Sequence, residues 1–315
     1  NLARHSLPSL FVGEKKAKAL AAYLSKIRQG SEPTPLVADI LKEDFENEEL
    51  GFALHDAQII LDASASVPVS RRLNDMTVDG RRASFFYCSG GEAAVLMVED
   101  CQRRIDLRHL EASLYSEILT NDVVKNLFAG KESVLQYSGN CGDLTVRMAA
   151  SKAQILSGLI ARGLGNAFDE NEAVLRIWKL QGDGSISVHA SNVVAPIVYN
   201  LDEWYIRISR PLAEALQLIR RSKLPRETGG ALLGVVDIPR KQIDILGALP
   251  APPDSKEGLT DFQRGVVGLR EQFEDAVERT LGQVRYVGEW HSHPIGCSTS
   301  PSKIDLGDLA TMTET

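Results

Sequence analysis

The sequence predicts an α/β protein in two domains. Three observations carry that expectation. A short apolar run, "AQIILDAS" (57–64), reads as a buried strand closed by Asp62. Strand-like and helix-like segments then alternate along the chain. After Tyr199 the pattern restarts with a new helix and a new set of strands. The boundary is expected near 195–205, giving domains at 1–200 and 201–315.

The elements follow in order. "GEKKAKALAAYLSKIRQ" (13–29) is rich in Ala, Leu and Lys and stops before Gly30, as a helix does. "ASFFYCSGGEAAVLMVED" (83–100) reads as two strands around Gly90 and Gly91. A helix is expected over 151–163, with Ile155, Leu156, Leu159 and Ile160 on one face. "VLRIWKLQGDGSISVHAS" (174–191) reads as a hairpin turning at Gly-Asp-Gly. Pro211 opens a helix to about Arg221. "GALLGVVD" and "QIDILGALPAP" are two strands of a second sheet. A polar loop, a helix over 268–281 and the strand "QVRYVGEWHSH" complete the pattern. There is no internal repeat.

Composition narrows the class. Hydrophobic residues are 43% and charged residues 24%, as in globular proteins. The net charge of −7 argues against nucleic acid as main partner. No apolar run is long enough for a membrane span. The four cysteines form no Cys-x-x-Cys pair, which disfavours a structural four-thiolate zinc site and suits a cytoplasmic protein. Both ends read as cut, so the chain is expected to be part of a longer protein.

Chemistry concentrates in "GEWHSHPIGCSTSPSKID" (288–305). His291 and His293 sit two apart at a strand end, so both rings face one side. Two imidazoles and a carboxylate with one open position is the ligand count of a catalytic zinc site. Asp305 can supply the carboxylate if the loop folds back. Zinc then lowers the pKa of its water toward about 7. Glu227, ahead of a Gly-rich strand, can act as general base. A bare His-x-His is also compatible with two solvent-facing rings; Pro294, Ser-x-x-Asp and the upstream Glu-x-Gly-Gly weigh against that.

"ETGGALLG" followed by "GEWHSHPIGCSTSPSKID" resembles the JAB1/MPN metalloprotease family and its JAMM motif, over 211–315. The resemblance implies an α+β, cytidine-deaminase-like domain. It implies Zn²⁺ on His291, His293 and Asp305, Glu227 as base, and Ser302 hydrogen-bonding the oxyanion. It also implies cleavage of isopeptide or peptide bonds after the carboxyl terminus of a ubiquitin-like protein. The gap before Ser302 is one residue longer than the family's usual one. Cys297, in that loop, reads as a bystander. His5, His55, His109 and His189 read as structural.

The N-terminal segment offers a basic cluster, then Gly13-x-x-Lys16 leading into a helix. Arg4 and Lys16 can meet phosphate oxygens. Asp62, at a strand's carboxyl end, can hold Mg²⁺ beside ATP. "NLARH…VGEKKAKAL…IILDASASVPVSRRLND" resembles the ThiF/E1 adenylating family over 1–165. By that resemblance Asn1, Arg4, Lys16 and Asp62 contact ATP and its metal in a partial Rossmann-like domain, with Arg71 and Asn74 continuing the pattern. The family's Gly-rich loop is absent, and Ala65 stands where a second Asp is usual. Cys141, in a Gly-rich loop before a helix, is a candidate thioester cysteine or an ordinary loop residue. Cys88 and Cys101 read as buried packing.

Together the resemblances imply an activating domain and a deconjugating or maturing protease for one ubiquitin-like protein, with an E2-like protein as further partner and a homodimer through the E1-like domain as one arrangement. A sulfur-carrier pathway and a non-catalytic scaffold are the alternatives. The expected outcome at the nucleotide site is that Asp62→Ala or Arg4→Ala in the full-length protein weakens pyrophosphate exchange and leaves peptide cleavage intact. Unchanged exchange in both variants would remove the E1 reading.

Overall fold

The computed structural model describes residues 11–27, 30, 32–42, 48–88, 91–128 and 148–297. Two five-stranded sheets dominate it. The first is built from β1 (Ile59–Asp62), β2 (Arg81–Tyr87), β3 (Ala93–Val98), β4 (Val174–Leu180) and β5 (Ile186–Ser191), hydrogen-bonded in that order. β1 and β2 are parallel, joined through α3 (Val67–Asp75); the other pairs are antiparallel. α1 (Lys16–Ile27) and α2 (Glu49–Asp56) precede β1. The chain therefore forms a mixed α/β fold, with one β-α-β unit in the first sheet among the described residues.

The second sheet takes β6 (Ile197–Leu201), β7 (Trp204–Ile208), β8 (Gly229–Asp237), β9 (Gln242–Leu249) and β12 (Arg285–His291) in the order β12-β8-β9-β7-β6. Its one parallel pair is β7 with β9. The change of sheet falls at 192–196, between β5 and β6. α6 (Arg210–Lys223) follows β7, and α7 (Leu269–Arg279) precedes β12. A small hairpin, β10 (Lys256–Glu257) with β11 (Phe262–Gln263), lies between β9 and α7.

Between the sheets runs α4 (Leu107–Thr120). Asp106 caps it by accepting from the His109 N–H at 2.8 Å. Leu107, Leu110, Leu114 and Ile118 recur at helical spacing and are each at most 2% exposed. They join Val95, Leu175 and Ile177 of the first sheet to Leu233, Val235 and Leu246 of the second in one hydrophobic cluster. Full burial of each such side chain contributes about 1.5–3 kcal/mol. Polar ties run alongside. Ser116 donates to the Leu246 carbonyl, and Arg108 pairs with both Asp75 and Asp237.

α5 spans Ala150–Asp169, longer than the sequence expectation. Gly163 does not stop it. A Cβ there would lie 2.6 Å from Trp178 Cη2 and 2.9 Å from Leu96 Cδ2, so the glycine serves close helix–sheet approach. Ile155, expected on the buried face, is 46% exposed; Leu156, Ile160, Gly163 and Ala167 make that face instead.

Two adjacent arginines fasten helices to opposite faces of β2. Arg81 donates to the carbonyls of Ala167, Glu170 and Glu172 at the end of α5, and to Glu99 O. Arg82 is fully buried. Its five N–H groups reach Leu73, Gly80, Met76 and Val78 carbonyls and Glu99 Oε2. Glu99 is also fully buried, and burial pushes its carboxyl up against the pull of Arg103 and Arg82. Arg82→Met would leave four carbonyls and Glu99 short of donors. Loss of one partner of a buried pair typically costs about 3–5 kcal/mol. The urea midpoint should fall accordingly with the slope unchanged; an unchanged midpoint would mean these groups find other donors.

Candidate functional site

The site forms where β8 and β12 run antiparallel at the sheet edge. The register sets His291 opposite Gly229 and Glu289 opposite Ala231. Pairing continues one step past both strand ends. Ser292 N–H donates to Thr228 O at 2.7 Å, and Thr228 N–H donates back to Ser292 Oγ at 3.1 Å. Ser292 and Thr228 are both buried. This latch brings Glu227 across from His293. Opposed residues share a face, and Glu227 Oε1 lies 3.6 Å from His293 Nδ1. The His291 and His293 rings lie 4.8 Å apart, tilted by 56°. Three of the five residues singled out in the C-terminal half thus face one another.

The surroundings fix Glu227. Its side chain is almost wholly buried, and its N–H donates to Gly258 O at 2.8 Å, tying it to the β10–β11 hairpin. Thr228 Oγ1 donates to Glu257 at 2.6 Å, and Lys223 meets the same carboxylate at 2.8 Å. Partial burial works to raise the Glu257 carboxyl, but these hydrogen bonds outweigh it and hold it below its usual range. Opposite His291, Gly229 brings no side chain to the face. A Cβ there would stand 2.3 Å from Trp290 O and 2.5 Å from Phe262 Cε1. The absent side chain therefore makes room for the Phe262 ring and for the close approach of the Trp290 carbonyl.

Glu289 points to other partners. Arg264 holds it at 2.6 Å and the Tyr286 hydroxyl donates to it at 3.3 Å. Ser302 and Asp305 lie outside the described residues, and the described residues alone bring no three His, Cys, Asp or Glu into a metal-sized cluster. Cys297 is exposed, in a turn closed on Pro294.

In the N-terminal half, Asp62 ends β1 at 3% exposure. Its carboxylate accepts from Ser64 N–H at 2.9 Å and from Ser84 Oγ at 3.0 Å. Lys16 is exposed at the start of α1. No hydrogen bond or ion pair joins Lys16 to Asp62 among the described residues. Asn1, Arg4 and Cys141 lie outside them. Arg71 forms a two-point pair with Glu111, and Asn74 Oδ1 accepts from Arg108 N–H, so both serve the packing of α3 on α4. Cys88 is buried and burial pushes its thiol up, whereas Cys101, expected to be buried, is exposed against Asn171. His189 pairs with Glu117, and His109 is buried, with burial and Arg207 lowering its pKa. Among the described residues no helix is long and apolar enough to cross a membrane.

Residues 209–314 match the family described as prokaryotic homologs of the JAB domain, so a JAB-type domain occupies the C-terminal part of the chain. The chain is also similar to a protein of Enterobacter hormaechei subsp. hoffmannii (strain UCI 50) described as a CD-NTase/cGAS isopeptidase, with 41% identity over 86 residues. That stretch is 27% of this chain and 46% of the relative, so the chain spans just under half of the relative's length.

Sequence reasoning missed the Thr228–Ser292 latch and Phe262. The only available signal for the latch was that each residue directly neighbours a motif residue. Gly229→Ala should force apart β8 and the Trp290 carbonyl. Overpacking of this kind typically costs about 1–3 kcal/mol, and the separation of Glu227 from His293 should grow. A thermal midpoint equal to wild type would show that the strands yield without cost.

Proposed function

We propose that the C-terminal part of the chain is a zinc-dependent isopeptidase or peptidase acting at the carboxyl terminus of a ubiquitin-like protein. The observation that carries this reading is the placement of Glu227 against His293 on the face shared with His291. The isopeptidase description of the Enterobacter relative supports the reaction class. The donor set suits zinc: the two imidazole rings lie 4.8 Å apart beside the buried Glu227 carboxylate, and Asp305 completes the set by resemblance. When bound, zinc supplies Lewis-acid polarisation to the reacting centre.

Glu227 takes the proton of the attacking water and passes it to the leaving amine, acting as base and then as acid. Its burial and its tie to Gly258 hold the carboxylate in place for both transfers. Ser302 donates to the oxyanion. Glu289, held by Arg264, is the weaker base. In this proposal residues 1–200 act as an E1-like domain activating the same protein, with ATP and Mg²⁺. The support there is the sequence resemblance and the place of Asp62 at the carboxyl end of a strand with a parallel neighbour.

Glu227→Gln keeps the size of the side chain but cannot accept a proton. Cleavage of a ubiquitin-like fusion should fall by at least about 10²-fold, near 3 kcal/mol of barrier, with zinc content as in wild type. His291→Ala should lose most of the zinc. Zinc loss in Glu227→Gln would make Glu227 a ligand or fold residue, and stoichiometric zinc in His291→Ala would displace the site.

A further inference from the structure

His293 lies beyond the last residue of β12, where the strand ladder no longer holds the backbone. The Ser292–Thr228 latch fixes its N-terminal side. Pro294 follows it, which removes the next N–H and confines His293 to extended backbone. The carbonyl of His293 is then the open point of control. It accepts a hydrogen bond at 2.9 Å from Nε of Arg220, in the last turn of α6.

The placement of Arg220 has a second consequence. The Arg220 carbonyl accepts from Leu224 N–H at the end of α6, and the chain then runs through Pro225 and Arg226 into Glu227. One residue therefore touches the backbone of both segments whose side chains meet at 3.6 Å. Its guanidinium is directional and always charged, so it fixes a carbonyl more firmly than a neutral donor does. The next residue, Arg221, is exposed.

We propose that Arg220 is a positioning residue for the His293 imidazole: its bond to the His293 carbonyl sets the ring's aim toward Glu227 and toward the metal. The inference rests on the zinc reading of the site. Partners that orient metal ligands from behind typically contribute about 10–100-fold in metal affinity or activity.

The test uses the 315-residue chain as Arg220→Ala and Arg220→Lys, with Arg221→Ala as control. Zinc affinity is measured by competition with a chromophoric chelator. The imidazole signals of His293 and His189 are followed by NMR in metal-free protein, with thermal midpoints alongside. Arg220→Ala should bind zinc about 10–100-fold more weakly and shift the His293 signals, with His189 and the midpoint unchanged. Arg220→Lys, which keeps a cationic donor, should restore part of the affinity, and Arg221→Ala should match wild type. Wild-type affinity in Arg220→Ala overturns the proposal. So does an equal loss in Arg221→Ala, or a loss that tracks a fallen midpoint and a moved His189. If wild type itself binds no zinc, the zinc reading fails separately; unmoved His293 signals in metal-free Arg220→Ala then overturn the positioning role as well.

Discussion

The register between β8 and β12 decides whether there is a site at all. Side chains on a strand alternate faces, so a slip of one residue would turn Glu227 away from the imidazoles. Gly229 restricts that slip against β12, and Gly230 and Gly234 hold the other edge of β8 close to β9. A Cβ at Gly229, Gly230 or Gly234 would come within about 2.3 Å of a carbonyl on a neighbouring strand, Trp290, Leu249 or Asp244. The backbones approach so closely only where glycine stands. The Gly-Gly pair after Glu227 is thus part of the site, although it contributes no functional group.

The scaffold behind the strand is held by burial and by cations used as fasteners. α4 fills the space between the sheets with an apolar stripe, and its flanks carry Arg108 to two aspartates. Arg81 and Arg82 bind main-chain carbonyls rather than solvent, which satisfies helix ends that would otherwise be buried without donors. Burial of such groups specifies an arrangement because any alternative leaves several of them unpaired.

Much of this was legible in the sequence. The strands around residues 57–64, 83–100 and 174–191 stand out because their apolar runs are bounded by turn residues. The facing of His291 and His293 follows from period 2, whereas the change of sheet at 192–196 falls ahead of Tyr199, which lies within β6. The central helix was not picked out, although Asp106 before Leu107, Leu110, Leu114 and Ile118 is a helix start followed by an apolar face. The end of α5 was misplaced because a glycine that reads as a stop is there a packing contact with Trp178. Cross-strand partners such as Thr228 with Ser292 depend on register, which local pattern does not encode. Arg220 was hidden for the same reason: its partner is a carbonyl distant in sequence.

The shared core has a consequence for the unity of the chain. Leu233, Val235 and Leu246 of the second sheet bury their surface against a helix that belongs to the first half. A protease that nicked the connection at 192–196 would leave two pieces still glued along α4. The halves behave as one particle, delivered together and in equal number wherever the chain is made.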